Sequence, residues 1–400
     1  VRVLFADKLP DRARLRLVSQ GFEVRSEPKL EGDSLAARLG EWDPHVVVVR
    51  STKFGAAHAA AGRSLQLVVR AGAGTDTIDV GACSGRAVLV ANCPGKNAVA
   101  VAELTLGLLL AIDRRIPDAV ADLRAGRWAK GKYSAASGLR TRTLGILGMG
   151  SIGREVATRA AAFGMNVIAW SRSLTPEKAA AYGVSRRDDP VQVAREADVL
   201  TVHVDGKAKG LVGEAVLAAL KPGAIVLNTT RAGVVDEAAL LAALDAKGLR
   251  AGLDVFAGEP SGAEGAFDHP LAKHPNVVGT HHIGASTDEA QEAVGDEACR
   301  IIEAFAARGT VDEHNAVNLS KKTAATHRLD VRHLDRVGVL ANVFGLLREA
   351  SINVQDMQNV IFPDGAAIAR IQVASEPSAD TLARLGGLDH VLGVSAVALA

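Results

Sequence analysis

Thr143-Leu144-Gly145-Ile146-Leu147-Gly148-Met149-Gly150-Ser151-Ile152-Gly153 decides how the rest of this 400-residue chain is read. An apolar run enters Gly148-x-Gly150-x-x-Gly153, and a helical pattern, Ile152 to Phe163, follows and stops at Gly164. The first glycine allows a tight turn, the second a close approach of backbone to pyrophosphate, and the third close packing of helix on strand. The helix start offers unpaired N–H groups and a positive dipole end to phosphate. Glycine fills 40 of 400 positions, so the spacing alone says little. With a strand ahead, a helix behind and a second strand at Val167 to Trp170, it reads as a dinucleotide site.

That second strand runs into Ser171-Arg172-Ser173. Ser171 lies 171 − 153 = 18 positions past the last glycine, where a carboxylate would hold the ribose hydroxyls of NAD. Ser and Arg there can instead bind a 2′-phosphate. NADP is expected to be accepted, with NAD as the alternative.

Outward from this core, the pattern is βαβ. Val1–Phe5, Phe22–Arg25, His45–Val49 and Leu65–Val69 are short strand-like runs separated by helical ones. Leu144–Leu147, Val167–Trp170, Val199–His203, Ala224–Asn228, Gly252–Val255 and Val277–Thr280 supply six more. Such alternation implies parallel sheets, here two α/β lobes. Thr287 to Ala307 reads as one long amphipathic helix, and Asn315 to Thr326 as a linker. The order then changes to βαββαβ, a ferredoxin-like unit of its own.

Composition sets limits. Hydrophobic residues are 48% and charged residues 23%, a globular balance. Lys+Arg 46 against Asp+Glu 45 leaves +1, so no overall basic field draws in nucleic acid. Cys83, Cys93 and Cys299 match no zinc spacing, and no metal site is expected. The longest apolar stretch, Ala98 to Ile112, is broken by Glu103 and too short to span a bilayer; it reads as a buried or subunit-facing helix. No charged segment precedes an apolar run at the start, so a cytoplasmic location is expected.

Four stretches in order carry a resemblance: Leu147 to Gly153, Asn228-Thr229-Thr230-Arg231-Ala232-Gly233-Val234-Val235-Asp236, Gly252-Leu253-Asp254-Val255-Phe256-x-x-Glu259-Pro260 and His282-Ile283-Gly284-Ala285-Ser286-Thr287. The chain resembles the D-isomer-specific 2-hydroxyacid dehydrogenases, and among them the branch acting on D-3-phosphoglycerate. The resemblance implies two Rossmann/flavodoxin-like lobes, residues 1–96 with 286–322 for substrate and 97–285 for the dinucleotide, usually in a homodimer or homotetramer.

It also implies a catalytic trio, Arg231, Glu259 and His282. Each lies just past a strand's C-terminal end, where open α/β sheets collect ligands. Arginine can grip a carboxylate, imidazole can carry the hydroxyl proton, and a carboxylate can orient that ring. His281 is adjacent, so either ring is a candidate; family register favours His282. Cofactor contacts are expected from Gly148, Gly150, Ser151, Ile152, Gly153, Ser171, Arg172, His203, Val204, Thr229, Thr230, Arg231, Asp254, His282, Gly284 and Asn97. Val202 to Gly206 lacks the proline usual in relatives. Substrate contacts are expected from Arg50, Ser51, Lys53, Arg70, Ala71, Gly72, Ala73, Gly74 and Lys130. Backbone N–H groups at 71–74 would form an anion nest, and the cations would meet a phosphate.

Residues 326–400 resemble an ACT domain, with His333, Asp335 and Asn353 as candidate ligands for an L-serine effector; a plain dimerisation module is the alternative. The implied reaction oxidises 3-phosphoglycerate, a phosphorylated 2-hydroxy acid, to 3-phosphohydroxypyruvate with NAD(P), opening the phosphorylated route to L-serine. A glyoxylate/hydroxypyruvate reductase is a second expectation, and a nicotinamide-sensing corepressor-like binding protein a third.

Overall fold

Short β-branched runs fold as parallel strands, and the central ones are buried on both faces, the arrangement such runs require. A computed structural model describes residues 1–260, 264–319 and 323–399. Residues 261–263, 320–322 and 400 lie outside the described residues, among them the end of the expected 286–322 segment and the last position of 326–400.

β1 (Arg2–Phe5), β2 (Glu23–Ser26), β3 (Val46–Val49), β4 (Leu67–Arg70) and β5 (Leu89–Asn92) form a parallel sheet in the order β2-β1-β3-β4-β5. The Val46–Val49 strand is buried throughout and pairs with a strand on each side. Sequence reading misses β5, because four residues ending in Asn92 carry too little periodicity. Apolar layers cover both faces. One contains Val294, Ala298, Ile302 and Phe305 of the helix Asp288–Arg308, which thereby packs on this sheet.

The second sheet comprises β6 (Thr143–Leu147), β7 (Asn166–Trp170), β8 (Ser185–Arg186), β9 (Val199–Val202), β10 (Ile225–Asn228), β11 (Arg250–Leu253) and β12 (Val277–Gly279). Its order is β12-β11-β10-β9-β6-β7-β8, all parallel, and the chain adds strands in opposite directions from β6 and from β9. Ligands of doubly wound sheets bind beyond the strand ends at such a switch point. The apolar helix Ala98–Asp113 has ten buried residues and packs against this sheet. Gly252 makes that possible: a Cβ there would fall 2.9 Å from Ile112 Cδ1 and 3.1 Å from Leu108 Cβ.

The expected linker starts later than the sequence suggests. Val317 N–H donates to Val90 O at 2.9 Å, Asn318 Oδ1 accepts from Val90 N–H at 2.8 Å, and Ala316 bridges Ala91. Residues 315–318 are thus stitched to β5.

The chain divides into two compact units, Val1–Asn318 and Leu319–Ala400. In the second, β13 (His327–Leu334), β14 (Val354–Ile361), β15 (Ala366–Val373) and β16 (Val391–Ala398) form an antiparallel sheet ordered β14-β15-β13-β16. Helices Val339–Glu349 and Ala379–Gly386 share one core with it, through Val343, Leu347 and Leu385 against Leu329, Val331 and Ile371. This is the expected ferredoxin-like order. Among the described residues no helix is long and apolar enough to cross a membrane, and no His/Cys/Asp/Glu group could hold a metal ion.

Candidate active site

The glycine turn follows β6 at the switch point. Gly148 adopts φ +103°, and a Cβ there would lie 2.2 Å from His203 O, so only glycine lets the turn close on β9. At Gly153 a Cβ would meet Gly148 O at 2.1 Å, which fixes helix Ser151–Ala162 against the turn. At Gly150 a Cβ would meet nothing within 4 Å. That open space, with the N–H groups of Ser151, Ile152 and Gly153 at the helix start, which find no acceptor among the described residues, fits a pyrophosphate. Gly95 lies alongside, 3.6 Å from Ser151 Cβ by the same construction. Two residues on, Asn97 Oδ1 is buried with no hydrogen-bond partner among the described residues.

Arg231 is delivered by an Asx turn at the end of β10. Asn228, 1% exposed, accepts from Thr230 N–H (3.0 Å) and Oγ1 (3.1 Å), and its Nδ2 donates to Arg231 O at 3.0 Å. Thr229 is buried, its Oγ1 3.0 Å from Thr105 Oγ1. The hydroxyls of Thr229 and Thr230 thus hold the turn. Arg231 Nε donates to Asp76 Oδ2 at 2.8 Å and Nη1 to Thr230 O at 2.8 Å.

His282 follows β12 with φ +54°, an uncommon value for a non-glycine residue. The buried Asp254 holds it there: its carboxylate accepts from Thr280 Oγ1 at 2.6 Å, Ile283 N–H at 2.8 Å and Gly284 N–H at 2.9 Å. His282 Nδ1 lies 2.8 Å from Glu259 Oε2, and Glu259 Oε1 accepts from Phe256 N–H at 2.7 Å. The hydrogen bond to Glu259 raises the His282 pKa above the usual imidazole value, against burial. Burial pushes the Glu259 carboxyl up, but bonds from His282 and the Phe256 N–H outweigh it and leave it below the usual range. With Nδ1 facing a carboxylate, Nε2 is the nitrogen left for chemistry. His281 is exposed, and among the described residues it makes no side-chain hydrogen bond.

The loops after β1, β3 and β4 carry the residues expected to meet substrate. Asp7, after β1, accepts the N–H groups of Arg50 (2.5 Å), Ser51 (3.2 Å) and Thr52 (3.0 Å) and the Ser51 hydroxyl (2.9 Å). In the 71–74 loop, Ala71 N–H is spent on Val49 O and Gly72 N–H on Arg70 O. Among the described residues the N–H groups of Ala73 and Gly74 find no acceptor, so the nest is narrower than expected. The Arg70 guanidinium lies across Gly72, where a Cβ would fall 1.4 Å from Nη1; its Nε is buried without a partner. Burial lowers the Arg70 pKa, and the charges of Arg231 and Arg50 lower it further. Arg50 Nη1 donates to Gln291 Oε1 at 3.2 Å.

Other expected residues lie elsewhere. Lys53 is exposed, and Lys130 lines a separate groove with Arg127, Trp128 and Tyr133. Arg172 is exposed, its Nη2 3.4 Å from Asp205 Oδ2. Val204 is half-buried beside Gly148. His203 is buried, its Nε2 2.9 Å from Thr201 Oγ1, and burial pushes its pKa down to about 3, so the ring is neutral. In the C-terminal unit His333 is buried, with Nδ1 2.8 Å from Leu334 O and Nε2 3.1 Å from Asn359 Oδ1. Asp335 and Asn353 are exposed. His333 pairs with Ala367, whereas β14 starts opposite Val373, so Asn353 and His333 sit at opposite ends of the sheet, about 20 Å apart.

Comparison with known proteins gives this geometry its family. Residues 106–284 match the model of the D-isomer specific 2-hydroxyacid dehydrogenase NAD binding domain. The chain is similar to the NADPH-dependent glyoxylate/hydroxypyruvate reductase of Sinorhizobium meliloti, solved with citrate: 30% identity, TM-score 0.69, covering 79% of this chain and 97% of that one. It belongs to the D-isomer-specific 2-hydroxyacid dehydrogenases. The TT0316 protein of Thermus thermophilus is similar at 32% identity and TM-score 0.69, over 79% of this chain and 100% of that one. D-3-phosphoglycerate dehydrogenase of Methanocaldococcus jannaschii is 38% identical over 299 residues, 74% of this chain and 55% of the relative. The chain spans about half the length of the first such curated relatives.

Three residues that shape the candidate site escape the sequence reading. Asp76 and Asp7 stand after strands with no motif to mark them. Asn228 is legible afterwards, since Asn followed two residues later by Thr at a strand end favours an Asx turn.

Proposed function

We propose that this dehydrogenase oxidises D-3-phosphoglycerate to 3-phosphohydroxypyruvate with NAD(P). One observation carries the choice of a multiply charged acid. Arg50 and Arg231 lie near enough to the buried Arg70 guanidinium for their charges to lower its pKa, and among the described residues Arg70 Nε finds no acceptor. Mutually repelling guanidiniums are held together at a cost that a dianionic ligand offsets.

In this reading Arg231 and the N–H groups of Ala73 and Gly74 hold the substrate carboxylate, and Arg50 and Arg70 meet the phosphate. His282 Nε2 takes the C2 hydroxyl proton, while Glu259 keeps the ring oriented and stabilises its charge. A nicotinamide held at the glycine turn would supply the acceptor for the C2 hydride. Residues 97–285 would carry the dinucleotide, and 1–96 with 286–322 the acid.

A glyoxylate/hydroxypyruvate reductase is the second reading, favoured by Arg172 at the ribose position. Steady-state kinetics with 3-phosphoglycerate, glycerate, lactate and 2-hydroxyglutarate, each with NAD and NADP, separate the two. Preference for the phosphorylated acid supports the first. Preference for unphosphorylated acids supports the second, and binding of dinucleotide without turnover supports a sensor.

We also infer an ACT-type regulatory role for the C-terminal unit. The βαββαβ order supports it, and the separation of His333 from Asn353 fits a ligand held between two copies in a homo-oligomer. L-serine at millimolar levels should change velocity or thermal midpoint; no change would leave a dimerisation module. Three buried, unpaired thiols fit a reducing cytoplasm.

A further inference from the structure

Arg231 comes from the seven-stranded sheet and Asp76 from the loop after β4 of the five-stranded one. Their bond, Nε to Oδ2 at 2.8 Å, therefore joins residues from two sheets that are 155 positions apart in sequence. The loop bearing Asp76 is pinned on both sides of it. Asn92 Nδ2 donates to Ala73 O at 2.5 Å, and Phe54 N–H donates to Thr77 O at 2.8 Å.

Two glycines leave room for the pair. A Cβ at Gly74 would fall 2.0 Å from Arg231 Nη2 and 3.0 Å from Asp76 Oδ2. A Cβ at Gly206 would fall 3.1 Å from Arg231 Cγ. The guanidinium is a planar fork, so fixing two of its nitrogens fixes the direction of the third. Nε is held by Asp76 and Nη1 by Thr230 O, which leaves Nη2 over Gly74, beside the N–H groups that find no acceptor.

We propose that Asp76 is a positioning residue: it turns Arg231 so that Nη2 meets the substrate carboxylate above Gly74, and it can do so only while the two sheets hold this spacing. This rests on the 2-hydroxy acid reading of the site. Asp76 also places a carboxylate among Arg50, Arg70 and Arg231, where like charges would otherwise drive Arg231 away. Both partners are part-exposed, at 37% for the Arg231 side chain and 66% for Asp76. An exposed pair of this kind adds little to stability, so its consequence is orientation.

The test uses the full chain, with NAD for turnover and NADH for binding, comparing Asp76→Ala and Asp76→Asn with the wild type. Three quantities are read: turnover of the preferred acid, affinity of the NADH complex for oxalate, and NADH affinity with thermal midpoint. Asp76→Ala should lower kcat and weaken oxalate by about 10- to 100-fold, as small misplacements of a carboxylate clamp do. NADH affinity should stay within about twofold and the midpoint should hold. Asp76→Asn keeps an oxygen for Nε–H and should recover most of the loss. Kinetics and oxalate binding unchanged in Asp76→Ala would overturn the proposal. So would an Asn variant no better than Ala, a loss that tracks weaker NADH binding or a lower midpoint, or a wild type that binds no oxalate. If the wild type turns over none of the acids, the functional reading fails by itself, and the oxalate titration alone decides the role of Asp76.

Discussion

His282 Nδ1 and Glu259 Oε2 lie 2.8 Å apart although the two residues are 23 positions apart and leave different strands. Their bond sets both the tautomer and the charge preference of the ring. It holds the His282 pKa above the ordinary imidazole value.

From that follows a pH signature. Oxidation of a hydroxy acid needs neutral imidazole, so its rate should rise as pH increases through the raised pKa. Reduction needs imidazolium, so its rate should fall over the same range. Glu259→Gln removes the charge that raises the pKa. Both limbs should then move to lower pH, with kcat down about 10²-fold. The check is kcat against pH in each direction for both proteins; limbs that stay put would separate Glu259 from the proton transfer.

Gly153 and Gly150 of the turn should fail differently. Gly153→Ala places a carbon 2.1 Å from Gly148 O, so the helix must shift and the thermal midpoint should drop. Gly150→Ala meets nothing within 4 Å and should leave the midpoint alone. Its methyl would occupy the space kept for pyrophosphate, so NADH affinity should fall about tenfold or more. Calorimetry and fluorescence titration on both variants decide. Equal NADH affinity in Gly150→Ala and wild type would put the dinucleotide elsewhere.

Arg172 and Asp205, which follow β7 and β9, form an ion pair at 3.4 Å, where the proposed reading puts the ribose. Arg172→Ala should cut kcat/KM for NADPH about tenfold more than for NADH, since a charged hydrogen bond to phosphate is lost. Asp205→Ala frees the guanidinium and removes a repelling carboxylate, so NADPH should gain a few-fold over NADH. Parallel kinetics with both cofactors are the measurement; a ratio unmoved by either change removes this pair from cofactor choice.

Asp254 ties the His282 loop through three hydrogen bonds. Asp254→Ala strands the Ile283 and Gly284 N–H groups, at about 1–3 kcal/mol for each buried group left unsatisfied. The midpoint should drop, and His282, released from its left-handed backbone, should lose alignment with a fall in kcat. An active variant of unchanged stability would show that the loop holds itself.

The sequence by itself determined the parts whose physics is local. A period of two against 3.6 separates strands from helices, and the positive φ of Gly148 and the missing Cβ of Gly150 and Gly153 are written in residue type. The placement of Arg231, Glu259 and His282 past strand ends followed from the same reading, and so did the order of the last four strands. Tertiary structure alone decided what depends on distant segments meeting. Asp76 reaches Arg231 across 155 positions, and residues 315–318 join β5 instead of forming a linker. The fully engaged ring of His333 and the sheet's length between it and Asn353 are of the same kind. Hydrogen bonds of this reach leave no periodic trace in the chain, because their partners are brought together only by packing of the sheets that carry them.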